Sequence, residues 1–144
     1  MASDNLRQGG DIVVYGFPLN QLLSSGGNLT PGVVSAISGL GNNSSQFQIT
    51  ASIQPGSSGS PVMDKKGFIV GVVNMKISDS AMAKNTGSLP QNVNFAVNGQ
   101  TLKSFLDANH VKYEVGNNFF ARDKSLADIG DLARQWTTIV ECWN

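Results

Sequence analysis

One short stretch of this sequence, residues 54–62 (QPGSSGSPV), combines hydroxyl groups with residues that allow tight turns. Ser58 is a candidate nucleophile, because a serine held on a sharp turn can present its oxygen to a carbonyl carbon. Gly56 and Gly59 permit such turns, so the backbone amides of Gly56 and Ser58 can converge on one point. Converging amides stabilise an oxyanion as it forms. The stretch therefore predicts a nucleophilic serine beside an oxyanion hole.

A glycine- and serine-rich stretch is also typical of a flexible linker. A linker separates two self-sufficient units, yet this stretch lies between the apolar runs 47–50 (FQIT) and 68–73 (FIVGVV). Both runs are typical of strands in one sheet. The Gly-x-Ser-x-Gly elbow of α/β-hydrolases does not fit, because Ser60 stands two positions after Ser58 where that motif needs glycine. We therefore interpret the stretch as a loop inside one β domain.

Residues 56–61 (GSSGSP) resemble the Gly-Asp/Asn-Ser-Gly-Gly-Pro signature of chymotrypsin-fold, trypsin-like serine peptidases. Three further runs follow the order found in the bacterial HtrA/Deg-like branch of that family. They are residues 11–18 (DIVVYGFP), 30–36 (TPGVVSA) and 92–97 (NVNFAV). The resemblance covers roughly the first three-quarters of the chain. It is a resemblance to the second barrel of such an enzyme only.

The resemblance implies a role for each matching residue. Ser58 would be the nucleophile, and the amides of Gly56 and Ser58 the oxyanion hole. Four uncharged residues would line the pocket for the side chain before the scissile bond, and three consecutive residues would offer their backbone to an extended substrate. The pocket residues are Ser52, Ile53, Val93 and Phe95, and the backbone residues are Asn74, Met75 and Lys76. We expect a small or medium apolar side chain in the pocket, although its three apolar residues fit a barrel core equally well.

The sequence offers no good base for Ser58. His110, the only histidine, follows a predicted helix, where the helix dipole or solvent ordinarily accounts for it. Lys65 and Lys66 lie at a predicted hairpin tip, where hydration keeps lysine protonated, and Asp64 fits a turn residue. The family resemblance implies a histidine and an aspartate on a preceding barrel of the parent protein. We therefore expect the chain alone to be inactive towards peptides.

Two positions depart from the family pattern. Ser57 carries no charge where trypsin-like zymogens need an aspartate to pair with a new N-terminus. Regulation by loop ordering is therefore expected rather than activation by N-terminal insertion. Ser60 stands where glycine is commonest, but it keeps the side chain small.

Composition excludes several classes of function. Ten basic and ten acidic residues balance among 144, so neither a nucleic-acid nor an anionic-membrane footprint is visible. We expect no membrane span, and residues 1–7 (MASDNLR) do not fit a signal peptide. The single cysteine, Cys142, excludes an internal disulfide or a multi-cysteine zinc site, and its apolar surroundings predict a buried thiol. Neither a metal nor a cofactor is expected.

The alternation of apolar and polar residues predicts an all-β-dominated fold. Six antiparallel strands fit a barrel or a sandwich, and the resemblance favours the barrel. The strand over residues 68–75 is expected to be the longest and most buried, and residues 77–91 form a long polar loop. A short helix with Leu102, Phe105 and Leu106 on one face closes the barrel. We assign residues 1–110 to this domain.

A strand-helix-strand tail is predicted for residues 111–144, packed on the barrel. Residues 111–115 and 137–143 read as strands. The helix between them begins after Ser125 as N-cap, with Asp128 three residues on. Its apolar face comprises Leu126, Ile129, Leu132, Ala133 and Trp136.

The sequence leaves three classes of function open. The first is half of a serine endopeptidase that acts on extended peptides or unfolded proteins and pairs with the N-terminal barrel of its parent. The second is a pseudopeptidase that binds peptides without cleaving them. The third is an interaction domain that self-associates through its exposed interdomain face. Analogy with HtrA/Deg proteins favours an extracytoplasmic location.

Overall fold

A computed structural model describes residues 1–2, 6–18, 26–76, 93–117, 119–140 and 142–143. The strands are β1 (Asp11–Gly16), β2 (Asn28–Ala36), β3 (Gln46–Ile49), β4 (Pro61–Asp64), β5 (Ile69–Lys76) and β6 (Asn94–Asn98). The helices are α1 (Gly99–Ala108) and α2 (Leu126–Arg134), and a short 3-10 turn spans Leu40–Asn42. The predicted loop over residues 77–91 lies outside the described residues.

The six strands close into one antiparallel barrel in the order β1-β2-β3-β6-β5-β4. β1 pairs with β2 along its whole length and with β4 on its other edge. The register of β5 against β6 shifts between Val73 and Met75. Such a bulge bends a strand and helps a small sheet to close. The predicted six-stranded barrel is therefore confirmed.

The barrel interior is an apolar core built from one face of each strand. Ile12 and Val14 of β1 pack there with Phe47 of β3, which is fully buried. Gly71 of β5 lies so close that a Cβ would stand 2.6 Å from the Phe47 ring. The core thus requires glycine at that position.

The opposite face of β1 is covered by α2. Val13 and Tyr15 pack against Ile129 and Ala133 of the helix, and both helix residues are fully buried. Because successive residues of a strand face opposite sides, β1 is apolar along its length. This packing attaches the tail to the barrel, while the boundary at residue 110 stays a prediction.

Both helices begin with side-chain caps. In α1, Asn98 Oδ1 accepts the Thr101 N–H at 2.9 Å, and the helix contacts β5 and β6. In α2, Ser125 Oγ accepts the Asp128 N–H at 3.1 Å. Each cap satisfies a backbone donor that the helix itself cannot pair. The predicted helix after the barrel and the predicted N-cap Ser125 are confirmed.

The two strands predicted for the tail are wrong. Residues 111–117 and 137–140 form no strand, and residues 142–143 beside them form none either. All six barrel strands already have two neighbours, so alternating apolar residues in the tail find little free edge to join. Instead the tail follows the barrel surface, where the Lys124 N–H donates to the Lys65 carbonyl at 2.8 Å.

Several finer predictions are also wrong. β2 is longer than β5, with nine residues against eight, and β1 is more fully buried. Cys142 is exposed, because residues 142–143 lie on the surface rather than in a strand. Phe105 of α1 is 63% exposed, and Leu126 and Trp136 are 47% and 42% exposed. Short helices on a closed barrel bury only a narrow stripe of side chains.

Candidate active site

The loop around Ser58 begins with a tight turn over residues 54–57. The Ser57 N–H donates to the Gln54 carbonyl at 3.0 Å. Pro55 occupies the second position, and Gly56 the third with φ +92°. This combination is typical of a type II turn, since proline sets φ near −65° at the second position and glycine readily adopts the positive φ that the third position requires.

A second turn of the same kind follows at once and carries the candidate nucleophile. The Ser60 N–H donates to the Ser57 carbonyl at 3.0 Å, and Gly59 has φ +87°. Ser58 is therefore the second residue of a turn, at its corner. Its side chain is exposed, while Ser57 and Ser60 on either side are 4% and 6% exposed.

Strand β5 fixes this loop to the barrel. The Gly59 N–H donates to the Val73 carbonyl at 2.8 Å, and the Val73 N–H donates to the Ser60 carbonyl at 2.9 Å. Gly16 at the end of β1 packs against Ser60, so that a Cβ on Gly16 would overlap the Ser60 hydroxyl. The corner at Ser58 is thus held between two strands of a rigid barrel.

Two backbone donors in the loop stay available. Within the described part of the chain, neither the Gly56 nor the Ser58 N–H donates a hydrogen bond. The neighbouring N–H groups of Ser57, Gly59 and Ser60 are all paired. Unpaired amides on a rigid, exposed turn are the arrangement that stabilises a developing oxyanion.

The candidate bases lie elsewhere. His110 lines a shallow depression with Asp107 and Tyr113 at the end of α1, and it does not line the cavity at Ser58. Lys65 Nζ stands 2.7 Å from the Asp11 carboxylate. That hydrogen bond and the carboxylate charge raise the pKa of Lys65, whereas a catalytic lysine needs a lowered pKa.

Asp64 behaves as a turn residue, as predicted. Its Oδ1 accepts the N–H groups of Lys66 and Phe68, each at 2.9 Å. Its carbonyl accepts the Gly67 N–H at 3.0 Å. The carboxylate is thereby committed to the β4–β5 hairpin.

The residues predicted to line the substrate pocket fall into two groups. Ser52 is exposed and Val93 is half-buried. Ile53 and Phe95 are each 3% exposed, and Ile53 belongs to the barrel core. The burial of Ile53 fits both interpretations left open by the sequence, because a residue can belong to the core and also form the floor of a pocket.

Asn94 lies between two of the predicted pocket residues, and sequence reasoning did not single it out. It is 1% exposed, and its Nδ2 donates to the Ala51 carbonyl at 2.8 Å. This bond ties β6 to the residue just before Ser52, so it joins the two predicted pocket walls. A polar residue inside the apolar run 93–97 was the available signal, because buried amides are retained where they are hydrogen-bonded.

The predicted substrate-binding backbone lies on a free edge of β5. Residues Asn74, Met75 and Lys76 belong to the part of β5 that runs beside β6, whereas β4 pairs only as far as Val72. The described residues supply no second neighbouring strand beyond Val73. A strand edge thus becomes free directly after the residue that anchors the Ser58 loop. An extended peptide can add to such an edge.

A cavity of about 400 Å³ opens beside Ser58. It is lined by the loop residues Gly56, Ser58, Gly59 and Ser60, by Phe17 and by residues 137–140 of the tail. Sequence reasoning missed the contribution of the tail. No local signal could reveal it, because it depends on where α2 docks.

The described residues contain no cluster of three or more metal-ligating side chains. Among their helices, none has the length and apolar character needed to cross a membrane.

Comparisons with known proteins agree with this geometry. The sequence profile of the trypsin-like peptidase domain family matches residues 1–72, half of the chain. The chain is 40% identical over 136 residues to the uncharacterized protein y4bJ of Sinorhizobium fredii, which covers 94% of this chain and 21% of that protein. It is 30% identical over 98 residues to the serine protease Do-like HtrB of Bacillus subtilis, and the match covers 62% of this chain and 21% of HtrB. The chain thus spans about a fifth of the length of these curated relatives.

Solved structures share the barrel. The HtrA-type protease AlgW, solved with a decapeptide, superposes with a TM-score of 0.57 at 25% identity, covering 75% of this chain and 31% of AlgW. A serine endoprotease from Yersinia pestis superposes with a TM-score of 0.56 at 22% identity, covering 74% and 32%, which supports the fold alone. With the barrel, the loop and these relatives agreeing, the chain belongs to the trypsin-like peptidase domain family, within its HtrA-like branch.

Proposed function

We propose that this chain is the nucleophile-bearing barrel of a serine endopeptidase. The observation that carries the proposal is the state of the loop amides: those of Gly56 and Ser58 are unpaired within the described chain, while their neighbours are paired. In the proposed reaction, Ser58 Oγ attacks a peptide carbonyl, and these two amides hold the oxygen that becomes negative.

The substrate is an extended segment of a peptide or an unfolded protein. It adds to β5 along Asn74–Lys76, where the strand edge is free of described neighbours. The structure of AlgW with a decapeptide supports a peptide ligand for this fold. The side chain before the scissile bond enters a pocket lined by Ser52, Ile53, Val93 and Phe95. No residue of this set is charged, so a small or medium apolar side chain is preferred.

The general base and its orienting aspartate belong to a preceding barrel of the parent protein. The position of His110 after the C-terminal end of α1 and the ion pair of Lys65 with Asp11 support this, since neither residue lines the cavity at Ser58. Without a base, the isolated chain hydrolyses peptides at no enzyme-like rate. By analogy with HtrA/Deg proteins, the parent works outside the cytoplasm.

The test is hydrolysis of casein by the full-length native polypeptide and by the isolated chain, each with Ser58→Ala. We expect the full-length protein to lose activity by about 10⁴-fold or more with Ser58→Ala, and the isolated chain to be inactive throughout. Ser44→Ala is the matched control, because Ser44 is also an exposed serine in a turn but lies outside the Ser58 loop. Equal activity of Ser58→Ala and Ser44→Ala would refute the proposal.

A second candidate is a peptide-binding pseudopeptidase. It is favoured if the parent sequence lacks the histidine and the aspartate, while this chain still binds extended peptides. A third, self-association through an exposed apolar face, is tested by light scattering. A strictly monomeric chain would count against it.

A further inference from the structure

The cavity at Ser58 contacts the oxyanion-hole residues but none of the predicted pocket residues. Gly56 and Ser58 line it, whereas Ser52, Ile53 and Phe95 do not. Val93, the fourth predicted pocket residue, is also absent from its lining. A serine nucleophile attacks the carbonyl between an acyl side, held in that pocket, and a leaving-group side. The backbone of Asn74–Lys76, which the proposed function assigns to the extended substrate, is also absent from the lining. Because the cavity shares the nucleophile but none of these acyl-side residues, we place it on the leaving-group side.

We propose that this cavity is the subsite for the residue that follows the scissile bond, and that residues 137–140 form its outer wall. The inference rests on the proposed function, and it goes beyond it by assigning a role to the tail. Its ligand is the side chain of the first leaving-group residue of a peptide.

The tail lines the cavity without filling it. The open volume is about 400 Å³, which falls within the range of volumes seen for ligand pockets. Ile139, which is 39% exposed, and the half-buried Phe17 supply apolar surface to the cavity. Ser58, Ser60, Thr137 and Thr138 add hydroxyl groups to the same lining. The apolar part of the lining gives an apolar side chain of medium size a surface to bury.

Two residues of this lining, Phe17 and Thr137, are held by packing or hydrogen bonds to the barrel and to α2. Phe17 stacks edge-on against Tyr15, with ring centroids 6.1 Å apart. Residues 137–140 follow α2 after the turn at residues 135–136, and the Thr137 N–H donates to the Ala133 carbonyl at 2.9 Å. Ala133 itself is buried against β1. The subsite is therefore built by β1 and by the helix that β1 carries.

A thiol placed at the nucleophile tests the wall without any need for activity. In the isolated chain with Cys142→Ser, Ser58→Cys is alkylated with iodoacetamide and with a bulky dextran-linked maleimide. Deletion of residues 137–144 should raise the rate of alkylation by both reagents. We expect the increase for the bulky maleimide to be at least about threefold larger than the increase for iodoacetamide. Ile139→Trp, which fills the cavity, should slow both reagents. Unchanged rates in both variants would overturn the inference.

Peptide binding tests the subsite itself. Two labelled peptides, acetyl-Ala-Ala-Val-amide and acetyl-Ala-Ala-Val-Leu-amide, differ only on the leaving-group side. We expect leucine to tighten binding to the isolated chain roughly three- to tenfold, and Ile139→Ser to abolish that gain. Val115→Ser is the matched control, since Val115 is an exposed tail residue outside the cavity.

The outcomes separate the two proposals. A leucine gain that survives Ile139→Ser refutes the subsite and leaves the proposed function intact. Failure of both peptides to bind counts against the proposed function. In that case the alkylation rates of Ser58→Cys still decide whether residues 137–140 restrict access to the cavity.

Discussion

Two turns of this barrel have a similar backbone conformation but differ in whether a side chain accepts their backbone N–H groups. The turn that ends at Ser60 and the β4–β5 hairpin each place a glycine at positive φ, Gly59 at +87° and Gly67 at +83°. In the hairpin, the Asp64 carboxylate accepts two backbone N–H groups. In the Ser58 loop no side chain does this for Gly56 or Ser58 within the described residues.

The difference is the one expected between a purely structural turn and the catalytic turn that we propose at Ser58. A hairpin gains stability by satisfying its own donors. A catalytic turn must keep donors open and obtain its rigidity from elsewhere, which here means the two hydrogen bonds between Val73 and the Gly59–Ser60 segment. The Ser58 loop therefore depends on the barrel, and the hairpin depends mainly on Asp64.

The two glycines should respond differently to alanine. Gly67→Ala is expected to lower the free energy of unfolding by about 2–3 kcal/mol, because a strained φ adds to a clash with the Leu132 side chain. That Cβ would stand 2.9 Å from Leu132 Cδ2, whereas nothing lies within 4 Å of a Cβ on Gly59. Gly59→Ala should therefore cost only the strain, about 1–2 kcal/mol. Urea denaturation of the isolated chain measures both.

Leu132→Ala supplies the control for that comparison. In a Leu132→Ala background, Gly67→Ala should cost no more than Gly59→Ala, because the clash has gone. If the two glycine variants already lower the free energy of unfolding equally in the native background, Leu132 of α2 does not pack against Gly67 as closely as the structure indicates.

Removing the Asp64 carboxylate tests how the hairpin satisfies its own donors. Asp64→Ala is expected to destabilise the chain by about 2 kcal/mol, because the Lys66 and Phe68 N–H groups lose a charged acceptor. Asp64→Asn keeps an acceptor oxygen and should lose about half as much. Equal losses for the two variants, measured by urea denaturation, would contradict this account.

The barrel was predictable because its strands are read from local apolar runs. Apolar runs predict strands over residues 12–15 and 93–97, and β1 and β6 begin and end within one residue of these bounds. The Ser58 loop is predicted from its prolines and glycines. Pro31 argues against a strand interior, so the sequence predicts the second strand over residues 32–37, whereas β2 begins at Asn28 and includes that proline. It is tolerated since β2 pairs there with β1 only, and β3 joins at Val34.

The tail was predicted poorly because its structure depends on the barrel it meets. Residues 111–115 alternate as an edge strand would, but every strand of the closed barrel already pairs with two others, which leaves only short edges such as that of β5 beyond Val73. The helix start at Ser125 was predictable, since a cap is a local interaction. The cavity wall at residues 137–140 was not, because it follows from long-range docking of α2 on β1.

Close packing of β1 against Ser60 should appear as a smaller effect. Gly16→Ala is expected to cost about 1–2 kcal/mol, because the new Cβ would stand 3.0 Å from Ser60 Cβ and overlap the hydroxyl. Ser60→Gly should restore most of the loss by making room, and double-mutant denaturation measures this coupling. Additive costs would show that the two positions do not compete for space.

The ion pair at the hairpin tip should have the smallest effect. Lys65 and Asp11 lie 2.7 Å apart with their side chains about half exposed, so solvent screens the attraction. The hydrogen bond to Asp11 raises the pKa of Lys65 above 10.5, so folding favours the protonated lysine. The stabilisation is therefore fully present below pH 10.5 and is lost as the pH rises through the raised pKa. Lys65→Gln should thus lower the urea midpoint slightly at neutral pH and low salt, and the difference should vanish in 1 M salt, where about 3 Å of screening length remains. A difference that persists in high salt would mean that Lys65 acts through packing of its alkyl chain. The stability of the hairpin would then depend on this packing as well as on the hydrogen bonds of Asp64.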